Sequence, residues 1–170
     1  MVNRRSDASG SEDGPPSGWS HDWHPYEDYL NIHARYMRHL FDAGTVVRDH
    51  LVFTEIRDAG ELRFVHIAGR IECSNGVVIE ADKWLAVRRG RSNRHEVKGV
   101  SYSYHAWRQG VDKELLRYDT SHGMDSLHRH AFDRATGDEI EIQPIRLEEL
   151  PTLAGVIEEA VRLAESPEER

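Results

Sequence analysis

Apolar and polar side chains change rhythm twice along this chain. Between Pro25 and Gly44, Tyr26, Tyr29, Leu30, His33, Met37, Leu40 and Phe41 recur every three or four residues, which places one apolar stripe on a helix. Proline suits a helix's first turn and glycine its C′ position. Glu27 and Asp28 near the start, with Arg35, Arg38 and His39 near the end, complement the helix dipole. From Val46 the period falls to two. Residues 51–56, 62–73, 77–87, 97–107, 111–118 and 127–132 read as strands, with a further stretch at 139–143. Asp58-Ala59-Gly60, Ser74-Asn75-Gly76, Gln109-Gly110 and Thr136-Gly137-Asp138 read as the turns between them. Pro151 then opens a second helix, with Leu153, Val156, Ile157, Ala160, Val161 and Ala164 along one side. The pattern predicts an α+β fold: an antiparallel β-meander of about six strands, with an N-terminal and a C-terminal helix packed on one face. No fixed-period repeat interrupts it.

Composition sets the limits of that domain. Residues 1–18 are rich in Ser, Gly, Asp and Pro and almost devoid of apolar side chains, so they predict a disordered polar tail, with Trp19 and Trp23 tacking its end onto the fold. Residues 19–165 form the single domain and 166–170 a disordered C-terminus. The 170 residues carry 38% hydrophobic and 31% charged side chains and a net charge of −8. Such a balance gives no cationic field for nonspecific nucleic-acid binding, although a local basic patch remains compatible with it. The one cysteine, Cys73, excludes an internal disulfide and a Cys-based zinc knuckle. No apolar run is long enough to span a membrane and the N-terminus lacks a signal-peptide core, so the expectation is a soluble, cytoplasmic protein with no membrane partner.

Candidate chemistry gathers between Ser101 and Asp133, where His105, His122, His128 and His130 account for four of the chain's 11 histidines. On a strand alternate residues share a face, so His128 and His130 point the same way, about 7 Å apart. His122 sits in the loop before them. Three converging imidazoles would serve acid–base chemistry or a divalent metal; an edge strand whose histidines face water accounts for the same pattern. Arg117 and Asp119 share a strand face, opposite to Leu116 and Tyr118. The guanidinium offers a planar fork for phosphate, and the carboxylate would orient it or a histidine; an ordinary surface ion pair is the plainer reading. Tyr102 and Tyr104 lie on one face of their strand and His105 with Trp107 on the other, so only one of Tyr104 and His105 can reach a common site. Glu80 and Asp82 share a face as further carboxylates. Arg88, Arg89, Arg91, Arg94 and Lys98 put five cations in eleven residues against one acid, Glu96, a candidate grip on a phosphate backbone or a solvated loop. No Gly-rich phosphate loop, nucleophile elbow or Cys/His triad is present.

The run Tyr102-Ser103-Tyr104-His105, then Leu115-Leu116-Arg117-Tyr118-Asp119 with His122 three residues on, then His128-x-His130, resembles the TumE-like family of toxins from type II toxin–antitoxin modules. The resemblance covers roughly residues 51–164, and the Asn75-Gly76 hairpin with Glu80 fits it. The chain departs from the family at Thr120, where an Asn is usual, in the Ser121-His122-Gly123-Met124 loop, in its polar tail and in the Arg-rich segment. The resemblance implies a cytoplasmic toxin encoded beside a helix-turn-helix antitoxin, with RNA as substrate; a homodimer is compatible with it. The expected reaction is metal-independent, with no cofactor. His122, His128 and His130 supply the acid–base set, Asp119 orients one of them, Arg117 stabilises charge on phosphorus, and His105 or Tyr104 stands nearby. The alternatives are a metal-dependent hydrolase, with a divalent ion held by the same histidines and Asp119, and a non-catalytic protein-binding domain.

Overall fold

A computed structural model describes residues 21–111, 113–120 and 127–166; the polar tail, Trp19, His122 and residues 167–170 lie outside the described residues. A two-residue strand β1 (His24–Pro25) leads into helix α1 (Tyr26–Asp42). Eight strands follow: β2 (Val46–Asp49), β3 (Val52–Asp58), β4 (Glu61–Cys73), β5 (Val77–Arg89), β6 (His95–Arg108), β7 (Lys113–Asp119), β8 (His128–Phe132) and β9 (Glu139–Pro144). Helix α2 (Leu153–Glu165) closes the described chain, with the Thr152 hydroxyl accepting from the Gly155 amide at its N-cap. All nine strands belong to one sheet of order β2-β4-β5-β6-β7-β8-β9, with β3 also on β4 and β1 on β6. Every pairing is antiparallel. The fold is α+β, as the pattern predicts.

The strand count differs for local reasons. The apolar run from Val46 to Ile56 is two strands, because the chain kinks at His50-Leu51 and both halves pair with β4. Asp49 fixes the kink by accepting the Leu51 amide at 2.8 Å, while the His50 amide donates to the Arg70 carbonyl at 2.9 Å. Gly69 makes room for it. Its φ is +150°, and a Cβ there would sit 2.3 Å from the His50 carbonyl oxygen. The Ser74-Asn75-Gly76 turn takes positive φ at Asn75 and Gly76, 57° and 71°, a backbone that Asn and Gly adopt more readily than other residues.

One face of the sheet is dry. Met37 and Leu40 of α1 and Val156, Ile157, Ala160 and Val161 of α2 share a core with Ile71, Ile79, Tyr104, Leu116 and Tyr118. A smaller cluster of Leu62, Val65, Ile67, Leu85 and Val97 packs against Tyr26 and Tyr29. Glu159 on α2 ties the helix to the sheet, accepting from the Tyr118 hydroxyl at 2.8 Å and from Arg129 at 2.7 Å. Among the described residues no helix is long and apolar enough to cross a membrane.

Candidate active site

The register of β5 to β8 decides what the other face presents. Glu80, His105, Arg117 and His130 stand directly opposite one another across four strands, and Asp82, Ser103, Asp119 and His128 form the next such row. Cross-strand partners share a face, so both rows lie on the side away from the helices. Arg117 is therefore flanked by His105 on one strand and His130 on the other.

Asp119 gathers this set. Its carboxylate is 4% exposed and lies 2.7 Å from Arg117 Nε, 3.2 Å from His130 Nε2 and 3.8 Å from His128 Nδ1. The strand end that carries it is pinned by Thr120, whose amide donates to the Tyr102 carbonyl while its hydroxyl accepts the Tyr102 amide, each at 3.0 Å. Thr120 thus continues the ladder beyond the end of β7.

Two glutamates that the sequence does not announce complete the arrangement. Glu114 pairs with the His105 ring, and Glu139 Oε2 lies 2.6 Å from His130 Nδ1. Simple alternation puts Glu114 on the helix face with Leu116. The register slips there, because Ala106 faces Leu116 while Trp107 faces Glu114, leaving Leu115 as an extra residue. Ile140 plays the same part in β9, where Ala131 faces Glu141 and Phe132 faces Glu139. Each bulge turns one glutamate onto the polar face. Only a clear bulge signature in sequence would have found them, and neither segment has a glycine to mark one.

The candidates separate as follows. Arg117, Asp119, His128, His130 and His105 share one face and adjoin one another. His122 lies outside the described residues. Tyr104 is a correction: it is 1% exposed, points to the helix side, and burial pushes its phenol well above the ordinary range. Alternation alone gives the reason, since His105 next to it takes the polar face. His130 differs from His128. Both of its ring nitrogens lie against carboxylates, and Nε2 is shielded from solvent and poorly aligned for a hydrogen bond. His128 and His105, by contrast, remain partly exposed.

Beside this cluster runs an open groove of about 440 Å³, lined by Glu80, Asp82, Ser103, His105 and Arg117 together with the small residues Ala68, Gly69 and Ala81. At its far side His66 stacks on Trp84 with ring centroids 4.2 Å apart and lies 3.0 Å from Asp82. The five basic residues near the β5–β6 turn are remote from it. Glu80 and Arg88 are eight residues apart on β5, roughly 26 Å at the rise of a strand. There Arg88 meets Glu96 at 2.8 Å and the Trp23 ring at 4.3 Å, Arg89 meets Glu61 at 3.3 Å, and Lys98 meets Asp22 at 3.7 Å. Arg91 and Arg94 have no acidic partner among the described residues.

Among the described residues no group of three or more His, Cys, Asp or Glu is arranged to hold a metal ion. Chemically, the polar face offers an arginine fork steadied by a buried carboxylate, two accessible imidazoles on different strands, and an open groove beside them. Compared with known proteins, the chain matches no family model, no curated protein and no solved structure.

Proposed function

We propose that this chain is a TumE-like toxin that cleaves RNA by metal-independent transfer within the phosphodiester. The observation that carries the reading is the position of Arg117, anchored by Asp119 at 2.7 Å, with His105 opposite Arg117 on one neighbouring strand and His128 opposite Asp119 on the other. A phosphate seated on the Arg117 fork would have imidazoles on both flanks. His105, backed by Glu114, and His128, backed by Asp119, form the acid–base pair. One takes the proton of the 2′-hydroxyl as that oxygen attacks phosphorus; the other gives a proton to the departing 5′-oxygen, leaving a 2′,3′-cyclic phosphate and a 5′-hydroxyl. Arg117 stabilises the charge that builds on the phosphoryl oxygens. His130 locks Asp119 between β7 and β8. The Arg-rich turn, on the same reading, holds a more distant stretch of the strand. Among the described residues β9 ends the sheet, and its edge, with Ile140 65% and Ile142 53% exposed, offers an antitoxin or a second copy a place to add a strand.

The test is cleavage of a defined RNA by the purified full chain, with and without EDTA. Expected are cyclic-phosphate ends, indifference to EDTA, no cutting where the 2′-hydroxyl is replaced by hydrogen, and losses of about 100-fold or more for His105→Gln and for His128→Gln. Arg117→Lys keeps charge but not the planar fork and loses activity as well. Cutting of the deoxy-substituted strand, or loss of activity in EDTA, would overturn the mechanism in favour of metal-assisted hydrolysis.

A further inference from the structure

The helix side of the sheet holds a second polar site that the proposed RNA cleavage does not use. Beneath α1 lies a cavity of about 60 Å³, room for a few water-sized groups. Lys83, Tyr29, Tyr36, Tyr104, His21 and His33 contribute its polar lining, and among the described residues no aspartate or glutamate lines it. That absence is notable in a chain with 30 acids. Lys83 projects from β5 toward the helices, next to Ala81 on the core side. Its Nζ donates to the Tyr29 hydroxyl at 2.9 Å and sits 4.9 Å and 5.0 Å from the centroids of Tyr29 and Tyr102. No carboxylate pairs with it among the described residues. Gly99 is part of the arrangement: a Cβ there would sit 1.7 Å from the Tyr102 hydroxyl, so the glycine lets that ring lie across β6 beside the ammonium.

The opposite wall is the first turn of α2. Thr152, Leu153 and Ala154 line the cavity, and the amides of Leu153 and Ala154 are ones that a helix leaves without an intrahelical acceptor. A partly buried ammonium with no counter-charge, two imidazoles, three phenols and the positive end of a 13-residue helix meet in one small space. We infer that this cavity binds the carboxylate of a small organic acid, its anionic head on Lys83 and the first-turn amides of α2, and its short apolar body against Ile32 and Met37. The single ammonium favours a monoanion over a doubly charged phosphate. Burial lowers the affinity of Lys83 for its proton, with Tyr102 partly opposing, and a bound carboxylate would oppose that shift.

The experiment is a titration of the isotope-labelled full chain with sodium propionate against sodium chloride at equal ionic strength, followed through backbone amide resonances, with inorganic phosphate as the second arm. Expected are saturable shifts centred on Leu153 and Ala154 with propionate, and about tenfold or greater weakening in Lys83→Met. Leu153→Pro removes one donor at a position that tolerates proline, since Thr152 already has the extended backbone that must precede it, with φ −63° and ψ 163°. It weakens binding several-fold with the helix kept, and it carries the test should Lys83→Met fail to fold. No saturable shift at these amides, tighter binding of phosphate, or unchanged affinity in a folded variant would overturn the inference.

Discussion

His128 and His130 look interchangeable on a strand, since both project from the same face. Their surroundings make them different residues. His130 is 8% exposed and spans Glu139 and Asp119, whereas His128 only approaches Asp119, at 3.8 Å. Replacing His130 with Gln leaves a buried carboxylate short of a partner, so it should cost about 1–3 kcal/mol of unfolding free energy, while His128→Gln should stay within about 0.5 kcal/mol. Urea unfolding of the two variants measures this directly, and equal costs would mean that His130 does not hold the cluster together. The same residues show what could be read from sequence. Alternation sufficed to place Arg117 with Asp119 and His128 with His130, and to set His105 against Tyr104. It could not supply Glu114, Glu139 or the inward-facing Lys83. Two of these depend on bulges, and the third is a charged residue on the apolar side of a strand, which a hydropathy pattern reads as a break in the pattern.

At the scale of elements, both helices and the long hairpin strands were legible because stripe, caps and turn residues agree. The edges of the sheet were not. Strand β1 has two residues, and β2 and β3 are divided by a kink that depends on a glycine 19 positions away from His50 in the chain. Gly69→Ala tests that dependence. Its Cβ would strike the His50 carbonyl, and its φ of +150° is one that L side chains rarely adopt, so a loss of about 1–3 kcal/mol is expected. A variant as stable as the parent would show that the β2–β3 crossing yields without cost. The β5–β6 turn carries a different prediction. Arg88, Arg89 and Lys98 already face acids, which leaves Arg91 and Arg94 as the cations best able to release counterions on binding RNA. Substituting Ser for both should flatten the slope of log affinity against log salt by about 1.4, the value for two contacts to a single strand. An unchanged slope would reduce this turn to a solvated loop.

Across the whole molecule, one sheet separates two kinds of polar site. The outer face is built of charges that neutralise one another around Arg117 and Asp119; the inner face holds Lys83 and two imidazoles among apolar and phenolic groups. The inner site should govern how stability responds to acid. Burial holds His33 below its ordinary value of 6.5, with Lys83 adding to the effect and Asp49 opposing it. His21 is likewise lowered mainly by burial, against the hydrogen bond to the Leu150 carbonyl, 2.8 Å away, and with smaller contributions from Lys83 and His24 in the same direction. A histidine whose folded-state value lies below its unfolded value binds a proton more readily in the unfolded chain. As pH falls below 6.5 the unfolded state therefore takes up protons first, and stability declines until the folded-state values are passed. Well above 6.5 both states are neutral at these sites and their contribution is constant. Unfolding free energy measured by urea at pH 7.5, 6.5 and 5.5 should fall over the lower interval. His33→Gln and His21→Gln should each show a shallower fall than the parent, since each removes one imidazole that resists protonation. Parent and variants losing stability in parallel would place the acid sensitivity elsewhere, and a fall steeper in the variants would reverse the assigned sign.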